Sequence, residues 1–465
     1  MLYFPNFKEA PHAMFYNLGL KYGSPYTFWY CCEPTIIMNT REHVKLVNNG
    51  EGATNWIGRR HSLLLEGIGQ SKGLSLTPYG PFYTQQRKLV HQALRKHLSD
   101  ELMERQCEGV LDALADELAY KRFKPSSFTF NLLLDVMCGL IYFHRTPTLT
   151  SEQRNMVYRC FSTVYNPFQL RCWIDYFPIL RSLPFSVQQK IGYLSVKEDW
   201  DGFEKNAFTI CNELIDEHKR NMEENGGFET DFLDGLITAY EKEVKSGNTL
   251  FEEKQLKNLI FSMINASFTP HDQMDALFFH LALLPDVQEK CFQEIQMVIG
   301  DARPTLDKKS KMSYLEACTY EAMRIHQPPS LIFKTYVNQR DTKIESYNVP
   351  AGSIVQLNSM VNHIPDENFP GSDPHIFRPE RFLTAEGNFT NCKDEFWPFG
   401  MNRRDCVGKD QAKTCIFLLV TGLLQKYRFT LEPKENVPEN IESVKELFNL
   451  LESGVMIVPI PRVGV

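Results

Sequence analysis

Phe399-Gly400-Met401-Asn402-Arg403-Arg404-Asp405-Cys406-Val407-Gly408 decides how this chain is read. It lies between a proline-bearing approach and an apolar stretch with helical spacing. Cys406 has an arginine two residues before it, a glycine two after it and a phenylalanine seven before it. A thiolate that ligates heme iron needs such surroundings. It needs a tight loop that lets a porphyrin approach the backbone, amide N–H groups that hold the charge on sulfur, and a cation for a propionate. A helix beginning just after Cys406 would turn its positive dipole end toward the sulfur and favour the thiolate.

Three companion motifs stand upstream: Tyr83-Thr-Gln-Gln-Arg87, Glu321-Ala-Met-Arg324 and Pro379-Glu-Arg-Phe382. With these in order, the Cys406 loop resembles the heme-binding signature of the cytochrome P450 superfamily, Phe-x-x-Gly-x-Arg-x-Cys-x-Gly. Phe399, Arg404, Cys406 and Gly408 match, and Asn402 replaces the first glycine. That glycine would allow positive φ, which asparagine tolerates best among the other side chains. The upstream motifs resemble the family's Trp-x-x-x-Arg (with Tyr83 for tryptophan), its Glu-x-x-Arg and its Pro-Glu-Arg-Phe box. The resemblance runs from about Tyr22 to Pro461, and the stretch 361–387 is nearest in character to animal microsomal members of the aryl-hydrocarbon and steroid hydroxylase type.

The resemblance implies a mainly α fold with a small β region. It implies one heme-thiolate domain over residues 1–465, with heme b between a long distal helix and the helix after the Cys loop. It also implies a monooxygenase that inserts one atom of O2 into an apolar substrate (steroid, fatty acid or aromatic), with electrons from NADPH through a reductase. Two other readings stay open at this point: a heme-thiolate isomerase, dehydratase or peroxygenase, and a non-enzymatic heme sensor.

Composition agrees with a large helical protein. The 465 residues are 43% hydrophobic, and no Gly/Ser tract, charge block or repeat divides them. A formal charge of −7 argues against a nucleic-acid partner. Twelve cysteines without a spacing framework point to a reducing compartment. No run of 18 apolar residues is present, and Met1-Leu-Tyr-Phe-Pro5 reads as neither signal nor transit peptide. Microsomal relatives carry an anchor upstream of where this chain starts. The expected location is the cytosolic face of the endoplasmic reticulum membrane if such an anchor was removed, and the cytoplasm otherwise.

Aromatic and β-branched positions alternate over 22–45, as in short strands. Apolar residues recur at helical spacing over 85–118, 198–223, 254–283, 285–299, 312–326 and 407–427. Pro328-Pro329 should end a helix, and Tyr347–Gly352 reads as a turn between strands.

Glu321 and Arg324 share a helix face at i and i+3. Such pairs are usually surface ion pairs, but the resemblance puts these two in a buried network with Arg381 that fixes the Cys406 segment. It also makes Arg87, Arg404 and Lys334 the candidate holders of heme propionates, with the Tyr83 hydroxyl as a possible donor.

Counting back from Pro285-Asp-Val-Gln-Glu-Lys290 places the family's oxygen-activation signature on Asn265-Ala-Ser-Phe-Thr269. Thr269 takes the threonine position, Ala266 the glycine, and Phe268 replaces the acid that usually helps deliver protons. Pro270 lacks an N–H, so the carbonyl of Ala266 loses its helical partner and the helix should kink. Asp272, three residues after Thr269, or His271 is the candidate for a shifted proton route. In the blander reading, Thr269 bonds a backbone carbonyl and Phe268 packs in core. Phe268, Asn265, Leu331, Ile332 and Val455 are expected at the substrate pocket. Arg95, Lys96, Lys409 and Lys413 are expected to form a basic face for a flavoprotein reductase. The apolar segment around 176–185 is expected over the substrate entrance, near a membrane surface.

Overall fold

In the computed structural model, the described residues are 11–60, 73–124, 129–141, 197–325, 335–358, 376–434 and 454–462. Short breaks fall at Cys31, 49–51, 253–254, Phe268, 392–395 and Met401, and scattered positions between 177 and 190, with Val437 and Leu450, are also described. Helices dominate, with three small sheets among the described residues, of which the one formed by Tyr427–Glu432 and Met456–Pro461 packs into the helical core through Phe429, Leu431 and Ile457. In chain order the first elements are α1 (Pro11–Tyr22), β1 (Tyr26–Tyr30), β2 (Glu33–Met38), α2 (Arg41–Asn48) and β3 (Trp56–Gly58). Then come α3 (Pro81–His97), α4 (Asp100–Leu118), α5 (Phe130–Ile141), α6 (Lys197–Glu224) and α7 (Phe232–Lys245). The distal region is built from α8 (Leu256–Ser267), α9 (Pro270–Leu283), α10 (Pro285–Val298) and α11 (Ser313–Ile325). Strands β4 (Thr335–Asn338), β5 (Thr342–Ile344), β6 (Tyr347–Val349) and β7 (Ile354–Leu357) follow. After them come α12 (Lys409–Lys426), β8 (Tyr427–Glu432) and β9 (Met456–Pro461).

The largest sheet has the order β1-β2-β7-β4-β3, so strands from the first 60 residues sandwich strands from beyond residue 334. Among the described residues, only β2 and β7 run parallel, with Thr35 opposite Ile354. β5 and β6 form a hairpin, and β8 pairs antiparallel with β9.

Several boundaries differ from the periodicity, each for a local reason. The strand pattern over 22–45 stops at Met38, because Thr40 accepts the amide of His43 through Oγ1 at 3.2 Å and starts α2. The run 85–118 is two helices, since Ser99 caps α4 by accepting the Leu102 amide. The run 254–283 is also two, α8 ending at Ser267 and α9 opening on Pro270. Tyr347–Val349 is a strand rather than a turn, and the reversal falls on Pro350–Gly352, where Gly352 takes φ +81°.

One apolar core joins α3, α4, α5, α7, α8, α9, α11 and α12. At the α4–α12 crossing, a Cβ on Gly422 would meet Leu111 Cδ1 at 2.4 Å, so the missing side chain permits the close approach. This crossing and the contact of α9 with α12 fix the helix that follows Cys406.

The segment leading to that loop is tied to α11 by charge. Arg324 donates Nε to Glu321 Oε2 at 2.6 Å and Nη2 to Oε1 at 2.7 Å. Glu321 Oε1 also accepts the Arg378 amide at 2.8 Å and lies 3.3 Å from Arg381 Nε. Arg381 sits in the one-turn 3-10 helix Pro379–Phe382, and all three charged side chains are at most 2% exposed. Burial pulls the Arg381 pKa down, against the pull of Glu321. Removing one partner of such a network strands a charge away from water, at a cost of about 3–5 kcal/mol. Glu321→Ala and Arg324→Ala should therefore lower the thermal midpoint sharply, read by calorimetry on purified protein. A midpoint within a degree or two of wild type would show the network to be dispensable.

Candidate active site

The Cys406 loop reverses through Gly400 at φ +72° and Asn402 at φ +57°. Asparagine is among the few non-glycine residues that reach the left-handed region readily. The reversal lets the Cys406 amide donate to the Phe399 carbonyl at 2.8 Å, and the Asp405 amide to the Asn402 carbonyl at 3.2 Å. Gly408 is the N-cap of α12, and its N–H donates to the Cys406 sulfur. The sulfur is accessible, yet the protein around it is dense enough that burial pushes its thiol pKa up; the Gly408 amide, Arg87 and Lys409 act the other way. An exposed cysteine within a desolvating loop suits a partner that supplies a metal ion.

Arg404 gives the second mark of such a partner. Its Nε donates to the Ile57 carbonyl at 2.9 Å, and its guanidinium lies 4.0 Å from the Tyr83 ring centre. Both Nη atoms are buried with no hydrogen-bond partner. Burial, and then the nearby Arg59 charge, bring the Arg404 pKa down to about 10. Two guanidinium groups side by side, one with orphaned donors, call for a carboxylate between them. Sequence reasoning missed Arg59, which donates to the Ser75 and Thr335 carbonyls at 3.2 Å each and lies over Tyr336. Only its doubling in Arg59-Arg60 just after β3 could have flagged it.

Tyr83 and Arg87 come from α3, and both reach the Cys loop. Tyr83 donates its hydroxyl to the Arg403 carbonyl at 2.9 Å. Arg87 donates Nη1 to the Asp405 carbonyl at 2.7 Å and Nη2 to Asp405 Oδ1, so a propionate would have to share it. Lys334, Leu331, Ile332 and Phe268 lie outside the described residues. Val455 is buried just before β9.

On the distal side, Ala266 lies exposed in the last turn of α8, which also holds Asn265. The helix breaks at Thr269, but the Ala266 carbonyl is not left over: it accepts the Thr269 hydroxyl at 2.8 Å and the Thr269 amide at 3.3 Å. Asp272 is turned to His271, Oδ1 to Nε2 at 3.2 Å. His271 is buried edge-on against Phe130, and its carbonyl accepts the Thr129 hydroxyl. One turn further, Asp275 is a buried acid that the sequence reading passed over. Its Oδ1 accepts the Thr129 amide at 2.7 Å, and its Oδ2 has no partner.

The fold agrees with what known proteins show. The family model for cytochrome P450 matches residues 1–457. The chain belongs to the cytochrome P450 family. It is a heme-thiolate enzyme of the monooxygenase type, and heme b is its cofactor. It is 26% identical over 447 residues to cytochrome P450 2U1 of Homo sapiens, covering 92% of this chain and 77% of that protein. It is 27% identical over 448 residues to cytochrome P450 1A2 of Balaenoptera acutorostrata, covering 91% and 83%. With cytochrome P450 2D26 of Mus musculus it shares 25% identity over 468 residues, covering 94% and 86%. Among the described residues, no helix is long and apolar enough to cross a membrane.

The buried acid of this P450 generates a pH dependence. Burial raises the Asp275 pKa well above the ordinary value. The folded chain therefore takes up a proton that the unfolded chain has lost, and stability falls as pH rises from about 4, where an unperturbed aspartate ionises. Asp275→Asn keeps an oxygen for the Thr129 amide and removes the ionisation. Its melting temperature should exceed that of wild type by a margin that widens as pH rises. A margin that stays constant with pH would mean that Asp275 does not titrate differently in the fold.

Proposed function

We propose that this P450 hydroxylates an apolar substrate with O2 and with NADPH-derived electrons from a flavoprotein reductase, with Cys406 as the proximal iron ligand. The observation that carries the reading is Cys406, exposed just before α12, where the Gly408 amide favours the thiolate against burial. Heme bound there supplies the reductive activation of O2. The chain's own residues do the rest. Gly408 and the α12 N-terminus hold charge on the sulfur. The Phe399 carbonyl, by taking the Cys406 amide, fixes the height of the loop. Arg404 and Arg59 are the proposed holders of a propionate, with Arg87, Tyr83 and Lys334 in supporting places. Microsomal location is the companion proposal, at the cytosolic face of the endoplasmic reticulum.

The proposed reductase face is modest in free charge. Lys96 pairs with Glu229 at 2.5 Å, Lys409 with Asp405 at 2.8 Å, and Lys413 stands over the Phe399 ring at 5.2 Å. Arg95 is exposed at the end of α3. A reductase would meet a face whose cations are partly satisfied, so its docking should be sensitive to ionic strength but not governed by it.

Protons for oxygen activation are proposed to come through Asp272 and His271, since Phe268 stands at the position of the usual acid. A second reading, a heme-thiolate isomerase, dehydratase or peroxygenase, is favoured by one observation: the Thr269 hydroxyl is given to the Ala266 carbonyl. Two experiments separate these. Cys406→Ala should abolish the thiolate-type band of the reduced CO complex, and survival of that band would remove Cys406 from the role. Asp272→Asn should lower NADPH-driven turnover several-fold while sparing peroxide-driven turnover, because peroxide brings its own protons. Equal effects on both would reject the relay, and turnover with peroxide alone would favour the second reading.

A further inference from the structure

Asp405, the residue just before the proposed ligand, is gripped from two helices. Arg87 of α3 donates Nη1 to its carbonyl at 2.7 Å and Nη2 to Oδ1. Lys409, in the first turn of α12, donates Nζ to Oδ2 at 2.8 Å. Both carboxylate oxygens and the backbone carbonyl of one residue are thus held by two cations. Arg87 also touches the Tyr83 hydroxyl at 3.3 Å, and that hydroxyl holds the Arg403 carbonyl, so α3 grips two successive residues of the loop. Arg87 and Asp405 are mostly shielded, at 16% and 21% exposure, where water screens charge poorly. A cation that the motif suggests for a propionate is here engaged on the loop itself.

The charges add simply: two cations and one carboxylate leave a single net positive charge beside the sulfur. Without Asp405 the sulfur would face two positive charges, and without Lys409 it would face none. A positive field draws electron density from a thiolate and favours the reduced, more negative state of the metal it ligates.

We propose that Asp405 is a positioning residue: clamped by Arg87 and Lys409, it fixes the Cys loop and sets the charge beside the sulfur, and with it the reduction potential of the bound heme. This rests on Cys406 being the iron ligand. The clamp also gives Lys409 a role in the loop apart from any docking partner.

The test is an anaerobic, dye-mediated redox titration of the heme-loaded enzyme, followed in the visible spectrum, with the CO complex recorded on the same samples. Asp405→Asn should shift the midpoint potential upward, and Lys409→Met should shift it downward. Asp405→Glu, which restores the charge, should return it toward wild type. A role confined to packing would not produce shifts of opposite sign from two variants that each break the same contact. If Asp405→Asn fails to load heme, the partly exposed Lys409→Met still decides, with a downward shift supporting the clamp. Potentials unmoved, or moved the same way, with the thiolate-type CO band intact, would overturn it. Absence of that band from the wild-type enzyme would instead overturn the ligand assignment, and the clamp with it.

Discussion

The negative charge that Cys406 must carry to serve as the proposed iron ligand is the constraint on which the rest of this molecule depends. Burial alone opposes the thiolate, so charge and hydrogen bonds must favour it locally. The chain meets this with backbone first. Two left-handed residues, Gly400 and Asn402, turn the loop so that the Cys406 amide is spent on the Phe399 carbonyl, and the Gly408 amide is left for sulfur. Side chains act second, and from a distance: Arg87 and Lys409 favour the thiolate while Asp405 opposes it. The loop therefore needs fixed neighbours on both sides. α3 supplies one and α12 the other.

One cluster of buried charges, Glu321, Arg324 and Arg381, ties α11 to the segment that leads to the Cys406 loop. The Glu321–Arg324–Arg381 network is far costlier to build than an apolar contact of the same size, and a buried ion pair is weak evidence of stability. Its use is geometric. One carboxylate fastens α11 to the 3-10 turn at Pro379–Phe382 and to the Arg378 amide, through bonds whose directions are restricted. An apolar patch would let that turn slide; a bidentate arginine does not. The sheet β1-β2-β7-β4-β3 does the same by backbone, joining chain segments some three hundred residues apart and bringing β4 and β3 beside Arg59 and Arg404.

Much of this was legible because motif residues carry their geometry with them. Asn402 at a position that wants positive φ, Pro270 as a helix break and helical spacing over 285–299 and 407–427 each follow from covalent structure or periodicity. What stayed hidden depends on pairings between distant residues. Nothing in the spacing of Asp405 says that Arg87, 318 residues earlier, will take its carboxylate. Arg59 and Asp275 were passed over for the same reason: each becomes chemically interesting only through a neighbour from another element, Arg404 in one case and Thr129 in the other. Helix ends were misjudged where one side chain captured an amide, as at Thr40 and Ser99, since periodicity carries no information about caps.

The distal helix shows how one residue can both open and close a possibility. Pro270 removes the amide that would have bonded the Ala266 carbonyl, and that vacancy in the ladder could have held water. Thr269 fills it instead with its own hydroxyl and amide. A hydroxyl that donates to a carbonyl can still accept through its lone pairs, so Thr269 retains the capacity to take a proton-bearing partner while giving up free rotation. Proton supply then depends on what reaches its oxygen, and the polar groups one turn on are already paired: Asp272 with His271, and Asp275 with the Thr129 amide. Of these, the Asp272 carboxylate is about a quarter exposed, while the His271 ring and Asp275 are buried. A route from solvent that uses these groups therefore has to begin at Asp272, and the ring of His271 is its next polar contact inward.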